Sequence, residues 1–303
     1  MPSSPSHAAA VPNAPRVASR KARALLRAAT VTGLALLLAG CAMLGLVYNR
    51  LDSIVGFYIE DLVTLTPQQS AQLDRTLAGN LAWHRSSELR RYAEFLREIA
   101  ATFSTPVDRE QLVDVSRRTE DYWRDIFEQA TPGYTALALS FSDAQVRELM
   151  EGFQHKDEEE YREYAGRSEA ERSQRREKQV RRFLERFTGP LNAQQRALVA
   201  DFSRATPEFM DEWRAMRVIW RSELEMALDQ RRDTPQFHAT MRQLIAYPDA
   251  FWPDSYRRRV DEGRERFLAL LLQLDRTLTA EQRAAMHREL LALAGEVEKL
   301  IRA

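Results

Sequence analysis

Two places in this sequence combine residue types with a spacing that could support chemistry. Cys41, the only cysteine of the chain, directly follows Leu38-Ala39-Gly40 at the end of an apolar run. This order is typical of a bacterial lipoprotein signal, in which the cysteine becomes the first mature residue and its sulfur carries lipid. His84 and Glu88 lie four residues apart. A helix would place both on one face, where they could hold a metal ion or act as an acid–base pair.

The segment before Cys41 has the charge layout of an export signal. Residues 1–40 contain no acidic residue, and residues 34–38 form an apolar core. The basic residues that precede this core are Arg16, Arg20, Lys21, Arg23 and Arg27. We therefore expect cleavage between Gly40 and Cys41, and attachment to a membrane through lipid on Cys41.

The uncharged run continues past the cysteine, and this leaves a second interpretation open. From Ala28 to Tyr48 it covers 21 residues, enough for a helix to cross a bilayer core of roughly 30 Å. The protein could then keep its leader as an uncleaved signal anchor. For a lipoprotein, Ala42 after the cysteine favours a location in the outer membrane of the cell envelope, facing the periplasm.

Composition limits the partners of the mature chain. The full sequence has 44 basic and 44 acidic residues, so removal of the five basic residues in the leader leaves 39 against 44, a net charge of −5. Binding to nucleic acid needs a basic face, so no nucleic-acid partner is expected. Residues 1–40 are interpreted as the signal peptide, 41–64 as the lipidated N-terminus and juxtamembrane segment, and 65–303 as a periplasmic domain.

Apolar residues recur at helical spacing along the whole mature chain, and this predicts an all-α fold. We expect an elongated bundle of about eight helices in antiparallel hairpins. The charge-rich region 154–186 predicts one long solvated helix with ion pairs between successive turns. Breaks between helices are expected at Thr105-Pro106, Thr131-Pro132-Gly133, Gly189-Pro190, Thr206-Pro207, Thr234-Pro235 and Tyr247-Pro248, with Pro207 and Pro235 as possible first residues of helices.

Four copies of one short pattern mark helix starts. Each copy has an apolar residue, then Thr, Ser or Asn, then a glutamine three residues later. This is the spacing of a capping box, in which the N-cap side chain accepts from a backbone N–H and the glutamine reaches back to the N-cap. The predicted N-caps are Thr66, Ser142, Asn192 and Thr279. Their uneven spacing argues against a regular solenoid.

Two resemblances follow from these motifs. Residues 46–52, the helix start at 65–69 and the segment from Trp83 to Tyr92 together resemble an uncharacterised family of proteobacterial lipoproteins, over essentially the whole mature chain. This resemblance implies a lipidated envelope protein and no particular activity. The Leu-Thr-x-x-Gln starts at Leu65 and Leu278 are similar to the motif of periplasmic stress chaperones of the Spy and CpxP type. That similarity implies an all-α protein that holds unfolded clients.

Two aromatic segments are candidate interaction sites. The first contains Trp83, His84, Arg85, Glu88 and Tyr92. Its alternative interpretation is a packing tryptophan beside a His–Glu hydrogen bond on the surface. The second contains Phe251 and Trp252 between two prolines. It predicts either a recognition loop, because exposed aromatic residues often anchor interfaces, or a plug at one end of the bundle.

The sequence contains no nucleophile elbow, P-loop or dinucleotide-binding glycine pattern, and we expect no cofactor. The expected function is a non-catalytic one: binding, scaffolding or chaperone-like holding. The partner would be an envelope protein or an unfolded client. The alternative is a metal-dependent envelope enzyme that uses His84 and Glu88.

Overall fold

Helices make up nearly all of the structure. The computed structural model describes Gly45 and residues 47–302, and between residues 47 and 302 it contains no β-strand. The α-helices are α1 Leu51–Glu60, α2 Pro67–Trp83, α3 Leu89–Thr102, α4 Arg109–Leu139, α5 Asp143–Ala165, α6 Glu169–Thr188, α7 Ala193–Ala205, α8 Met210–Asp229, α9 Pro235–Ala246, α10 Asp254–Asp275 and α11 Ala280–Arg302. A π-helical turn, His84–Glu88, joins α2 to α3, and a 3-10 helix, Pro248–Phe251, precedes α10. The all-α prediction is confirmed, with eleven α-helices in this part of the chain rather than eight.

Buried apolar residues form three separate groups. The first lies among α1, α2, α4, α5, α8 and α9. The second joins Tyr48 to α3 and α11, and the third joins α6, α7 and α10. Helix α11 packs against both α3 and α6, so it connects the second group to the third. Several small cores, rather than one, stabilise the fold.

All four predicted N-caps are confirmed. Thr66, Ser142 and Asn192 each accept from the backbone N–H three residues later, and the glutamine there accepts from the N-cap N–H. Thr279 and Gln282 form the same two hydrogen bonds at the start of α11. Two further capping boxes begin α4 and α6, at Asp108 and Ser168. Their Asp-x-x-Gln and Ser-x-x-Glu spacings carry the same signal in the sequence.

The glutamines of the four predicted capping boxes also bond to one another, in two pairs. In the first pair Gln145 Nε2 donates to Gln69 Oε1 at 2.6 Å, and Gln69 Nε2 donates to Gln145 Oε1 at 3.2 Å. Each amide also donates to a carbonyl two residues before the other N-cap: Gln69 to Ser140 at 2.9 Å and Gln145 to Thr64 at 2.8 Å. We call this arrangement a crossed glutamine pair. It joins the start of α2 to the start of α5.

The second crossed glutamine pair repeats the same bonds between α7 and α11. Gln195 and Gln282 exchange amide hydrogen bonds of 2.8 and 2.9 Å. Gln195 donates to the carbonyl of Thr277 and Gln282 to that of Pro190, each at 3.0 Å. A glutamine amide has two N–H donors and one oxygen with two lone pairs, and Gln195 uses all of them while fully buried. The four sequence motifs therefore work as two pairs.

Thr131-Pro132-Gly133 does not separate two helices, and that prediction is wrong. Helix α4 runs through Pro132 to Leu139. A proline inside a helix removes one backbone hydrogen bond and is normally unfavourable, so tertiary packing must offset the loss. A Cβ atom at Gly133 would lie only 2.2 Å from Thr76 Cγ2 of α2. This close approach of α2 and α4 accounts for the glycine.

The region 154–186 is helical but is two helices rather than one. Helix α5 ends at Ala165, and the capping box of Ser168 starts α6. The sequence predicts Pro207 as a possible first residue of a helix, and that prediction is wrong. Helix α7 ends at Ala205 with Thr206 as its C-cap, and α8 begins only at Met210. Pro235 is a first helical residue, with Thr234 as its N-cap.

Candidate functional site

The candidate segment from Trp83 to Tyr92 contains a change of helical pitch. Helix α2 ends at Trp83, His84–Glu88 is π-helical, and the N–H of Leu89 donates to the carbonyl of His84. A single π-turn inserts one residue into an α-helix, re-aims the side chains beside it and is frequent at functional sites. Here it directs His84 and Glu88 to different partners.

His84 belongs to a cluster of aromatic rings. Its Nδ1 lies 3.0 Å from the hydroxyl oxygen of Tyr48. Its ring centroid is 5.3 Å from that of Tyr92, whose ring lies 4.9 Å from that of Tyr122. We call Tyr48, His84, Tyr92 and Tyr122 the tyrosine–histidine cluster. Burial lowers the pKa of His84 to about 4 and raises the pKa of Tyr48 and of Tyr92. Burial therefore favours the uncharged forms of His84, Tyr48 and Tyr92.

Glu88 is only 3% exposed and is held by an arginine. Arg91 donates to its two carboxylate oxygens at 2.7 and 2.9 Å. The same guanidinium bonds Asp125 of α4 at 2.9 Å and lies over the ring of Tyr122. Glu88 thus takes part in a link between α3 and α4. Its contacts differ from those expected for an acid–base pair with His84.

Arg85 binds the segment just after the predicted lipid site. Its Nη2 donates to Asn49 Oδ1 at 2.9 Å, and its guanidinium lies 5.5 Å from the ring centroid of Tyr48. Reasoning from local spacing missed Tyr48 and Asn49 as partners, because 36 residues separate them from His84 and Arg85. The resemblance noted above did include residues 46–52, although it assigned them no contact.

The part of the chain that the structure describes has no group of three or more His, Cys, Asp and Glu side chains that could hold a metal ion. Two polar atoms of the site, Tyr92 Oη and Arg85 Nε, are buried without a hydrogen-bond partner. The hydrogen bonds of His84, Arg85 and Arg91 make the 83–92 segment a junction between parts of the fold. It joins the N-terminal segment to α2 and α3, and it joins α3 to α4.

The second candidate segment is half-buried. Phe251 packs against the first apolar group. The ring of Trp252 meets that of Tyr256 edge to face, with centroids 5.0 Å apart. These contacts correspond to a plug at the end of the bundle more closely than to a free recognition loop.

A different aromatic pair is exposed, and the sequence analysis missed it. Trp123 and Phe127 on α4 are 45% and 44% exposed, and their rings stack with centroids 6.3 Å apart. Val113 is a further exposed apolar residue of α4, two to three turns before Trp123. The four-residue spacing of Trp123 and Phe127 was visible in the sequence, but only the packing of α4 shows that this face is left uncovered.

Gly40 and Cys41 lie outside the described residues, so cleavage and lipidation stay predictions from the sequence. Among the helices between residues 47 and 302, none combines the length and the apolar character needed to cross a bilayer.

Comparison with protein families identified a match. A family of unknown function (DUF6279) matches residues 61–257. The chain belongs to this family. The matched region contains the first crossed glutamine pair and the segment 83–92, whereas Tyr48 and α11 lie outside it. The expectation of an uncharacterised family is thereby confirmed, over a shorter range than the whole mature chain. Comparison with curated proteins and with solved structures gave no match.

The match to family DUF6279 assigns no role to any residue. The burial of His84 nevertheless predicts how the stability of the protein depends on pH. Its pKa is about 4 in the folded protein and near 6.5 in an unfolded chain. Folding therefore favours neutral His84. The contribution of His84 to stability is complete above pH 6.5, falls as the pH drops from 6.5 to 4, and changes no further below that. We expect a loss of about 2 kcal/mol across this range, with allowance for partial exposure to water.

Urea unfolding between pH 7 and pH 4 measures this loss. His84→Gln, which can still accept from Tyr48, should remove this part of the dependence on pH and leave the part that comes from carboxyls with a lowered pKa, such as Glu208. The exposed His155 is the control, and His155→Gln should retain the wild-type profile. A His84→Gln profile as steep as that of the wild type would contradict the assignment.

Proposed function

We propose that this protein is a lipid-anchored protein of the cell envelope, held in the outer membrane through Cys41 and facing the periplasm, with a non-catalytic role in binding or scaffolding. The anchor is supported by the signal-like sequence before Cys41 and by the position of Tyr48 in the folded body. The binding role is supported by the aromatic surface of α4.

The burial of Tyr48 is the observation that carries the choice between the two anchors. The uncharged run Ala28–Tyr48 reaches the usual length of a membrane-spanning helix, about 20 residues, only if its last residues lie in the bilayer. Tyr48 is instead 5% exposed, packs with residues of α3 and α11 and bonds His84. Without residues 45–48 the run has 17 residues, about 25 Å as a helix. This is short for a core of roughly 30 Å, which favours cleavage before Cys41.

The aromatic face of α4 supports a binding role. Trp123 and Phe127 present stacked rings to solvent although the fold has half-buried or buried positions for most other aromatic side chains. Aromatic side chains of this kind anchor protein–protein contacts. An envelope protein that docks on this face, or an unfolded client with apolar segments, would cover both rings.

One experiment in cells tests the anchor and the binding role together. A photo-crosslinking amino acid replaces Trp123 in the wild-type chain and in the Cys41→Ala variant. We expect the wild-type protein to carry the mass of lipid on Cys41, to fractionate with the outer membrane and to form one or a few discrete crosslinked products. Cys41→Ala should lose the lipid and leave the membrane fraction.

The control places the crosslinker at Gln230, an exposed polar position, where no discrete product is expected. An unlipidated wild-type N-terminus that still carries residues 1–40 would rule out the lipoprotein. The same crosslinking pattern at positions 123 and 230 would rule out the aromatic face of α4 as the binding surface.

A further inference from the structure

We propose that the end of the bundle around Tyr48 is a contact surface for anionic phospholipid headgroups. This inference rests on the proposed lipid anchor, because the anchor brings this end of the molecule to the bilayer. It goes further in assigning an orientation to the protein and a lipid chemistry to a defined surface.

Covalent geometry keeps this end close to the anchor. Four residues lead from Cys41 to Gly45, and an extended chain spans at most about 3.5 Å per residue. Gly45 therefore lies within about 14 Å of Cys41 in any conformation. The carbonyl of Gly45 accepts from the N–H of Asn49 at 3.0 Å, and the side chain of Leu300 packs beside Gly45. The C-terminal end of α11 thus shares this position with residues 45–50.

The start of α3 lies at the same end. Leu89 and Ala93 of α3 pack with Val297 and Leu300 of α11. At the opposite end of this helix pair, Arg283 of α11 donates to the carbonyl of Phe103, just after α3. The two helices are therefore antiparallel, and α3 begins where α11 ends.

Positive charge accumulates where these three segments meet. We call Arg50, Arg85, Arg90 and Arg302 the basic end. Arg50, Arg90 and Arg302 are exposed, and none of them pairs with a carboxylate within the described part of the chain. Lys299 lies nearby and is bonded to Glu296. Of the other acidic groups near this end, Glu88 is bonded to Arg91 and Glu298 to Arg97. Asp52 and the exposed Glu94 have no basic partner within the described residues, against the three exposed arginines and Arg85. The excess is positive although the mature chain as a whole has a net charge of −5.

The positive charge of the basic end and the short chain that links it to Cys41 both favour an anionic phospholipid headgroup as the ligand of this surface. A surface that adjoins Gly45, itself within about 14 Å of the lipid anchor, meets headgroups at a very high effective concentration. Basic side chains near an anionic bilayer each contribute about fivefold to binding, the equivalent of about 1 kcal/mol. The exposed arginines are free of partners within the described residues, so they can bind phosphate oxygens at little cost to the fold.

Fluorescence resonance energy transfer from a donor dye on the protein to an acceptor dye on the lipid headgroups measures this contact. The full-length lipidated protein is reconstituted in vesicles of neutral phosphatidylcholine, or in vesicles with about one third anionic phosphatidylglycerol. Ser87 is exposed in the π-turn near the basic end, and Ser87→Cys supplies a thiol for the donor dye while Cys41 carries lipid. We expect stronger transfer to a headgroup dye in the anionic vesicles, and a decrease at high salt.

Charge reversal tests the named residues. Arg50→Glu, Arg90→Glu and Arg302→Glu combined should abolish the difference between the two kinds of vesicle. The matched control reverses the charge of three other exposed arginines, Arg232, Arg258 and Arg266. This control variant should retain the difference in energy transfer between the two kinds of vesicle. Equal transfer on both lipids, or equal loss in both triple variants, would overturn the inference. The mass spectrum of the same sample reports lipid on Cys41, so a failed anchor is distinguished from a failed headgroup contact.

Discussion

Replacement of Gln195 by alanine is expected to lower the free energy of unfolding by about 3–4 kcal/mol. The substitution leaves three groups without their partners: the amide of Gln282, the N–H of Asn192 and the carbonyl of Thr277. Gln195 is fully buried, so water cannot replace these hydrogen bonds without opening the junction between α7 and α11. Urea unfolding of the purified protein measures the loss.

The chain offers a matched control one residue away. Gln194 is exposed in the same first turn of α7, and Gln194→Ala should change stability by less than about 0.5 kcal/mol. The double variant Gln195→Ala with Gln282→Ala should be more stable than the sum of the single losses predicts, because each single variant already leaves the other amide unpaired. Additive losses would contradict the crossed pair.

Replacement of Arg283 by methionine is expected to cost about 3–5 kcal/mol, since it breaks a buried ion pair from one side. Arg283 donates to Asp275 Oδ1 at 2.8 Å and to the carbonyls of Phe103 and Thr105 at 3.0 and 2.9 Å. The carboxylate of Asp275 also accepts from the N–H of Val107 at 3.0 Å. Methionine keeps much of the side-chain volume, so the loss reports the polar contacts that hold the α3–α4 connection onto the α10–α11 hairpin.

Thermal or urea unfolding of Arg283→Met measures this cost, with Arg276→Met as the matched control. Arg276 follows Asp275 directly but is exposed, so its removal should have little effect. Asp275→Asn should cost less than Arg283→Met, because the amide oxygen can still accept from Val107 or Arg283. The guanidinium left without its counter-charge is more exposed than the carboxylate and keeps its bonds to the carbonyls of Phe103 and Thr105. Equal stability of Arg283→Met and Arg276→Met would contradict the proposed role of this pair.

Local signals explain which features could be predicted. Helical spacing determines the fold class, and a capping box is complete within four residues, so Thr66, Ser142, Asn192 and Thr279 could each be assigned without the tertiary structure. Proline was less informative. Pro235 begins a helix behind Thr234, whereas Pro132 lies inside α4, and nothing local distinguishes the two before the contact of Gly133 with Thr76 is known.

The sequence by itself determined that this is a helical chain with a single thiol at Cys41 and defined helix starts, and it predicts an export signal before that thiol. These properties depend on residues that are neighbours along the chain, and backbone hydrogen bonding and apolar spacing express them locally. The tertiary structure alone decided that the capping glutamines join in pairs, that His84 meets Tyr48, and that Trp123 and Phe127 are uncovered. Each of these depends on contacts across 36 or more residues, or on which helix face the fold leaves unpacked. Local spacing cannot encode such contacts, because the packing of whole helices selects them.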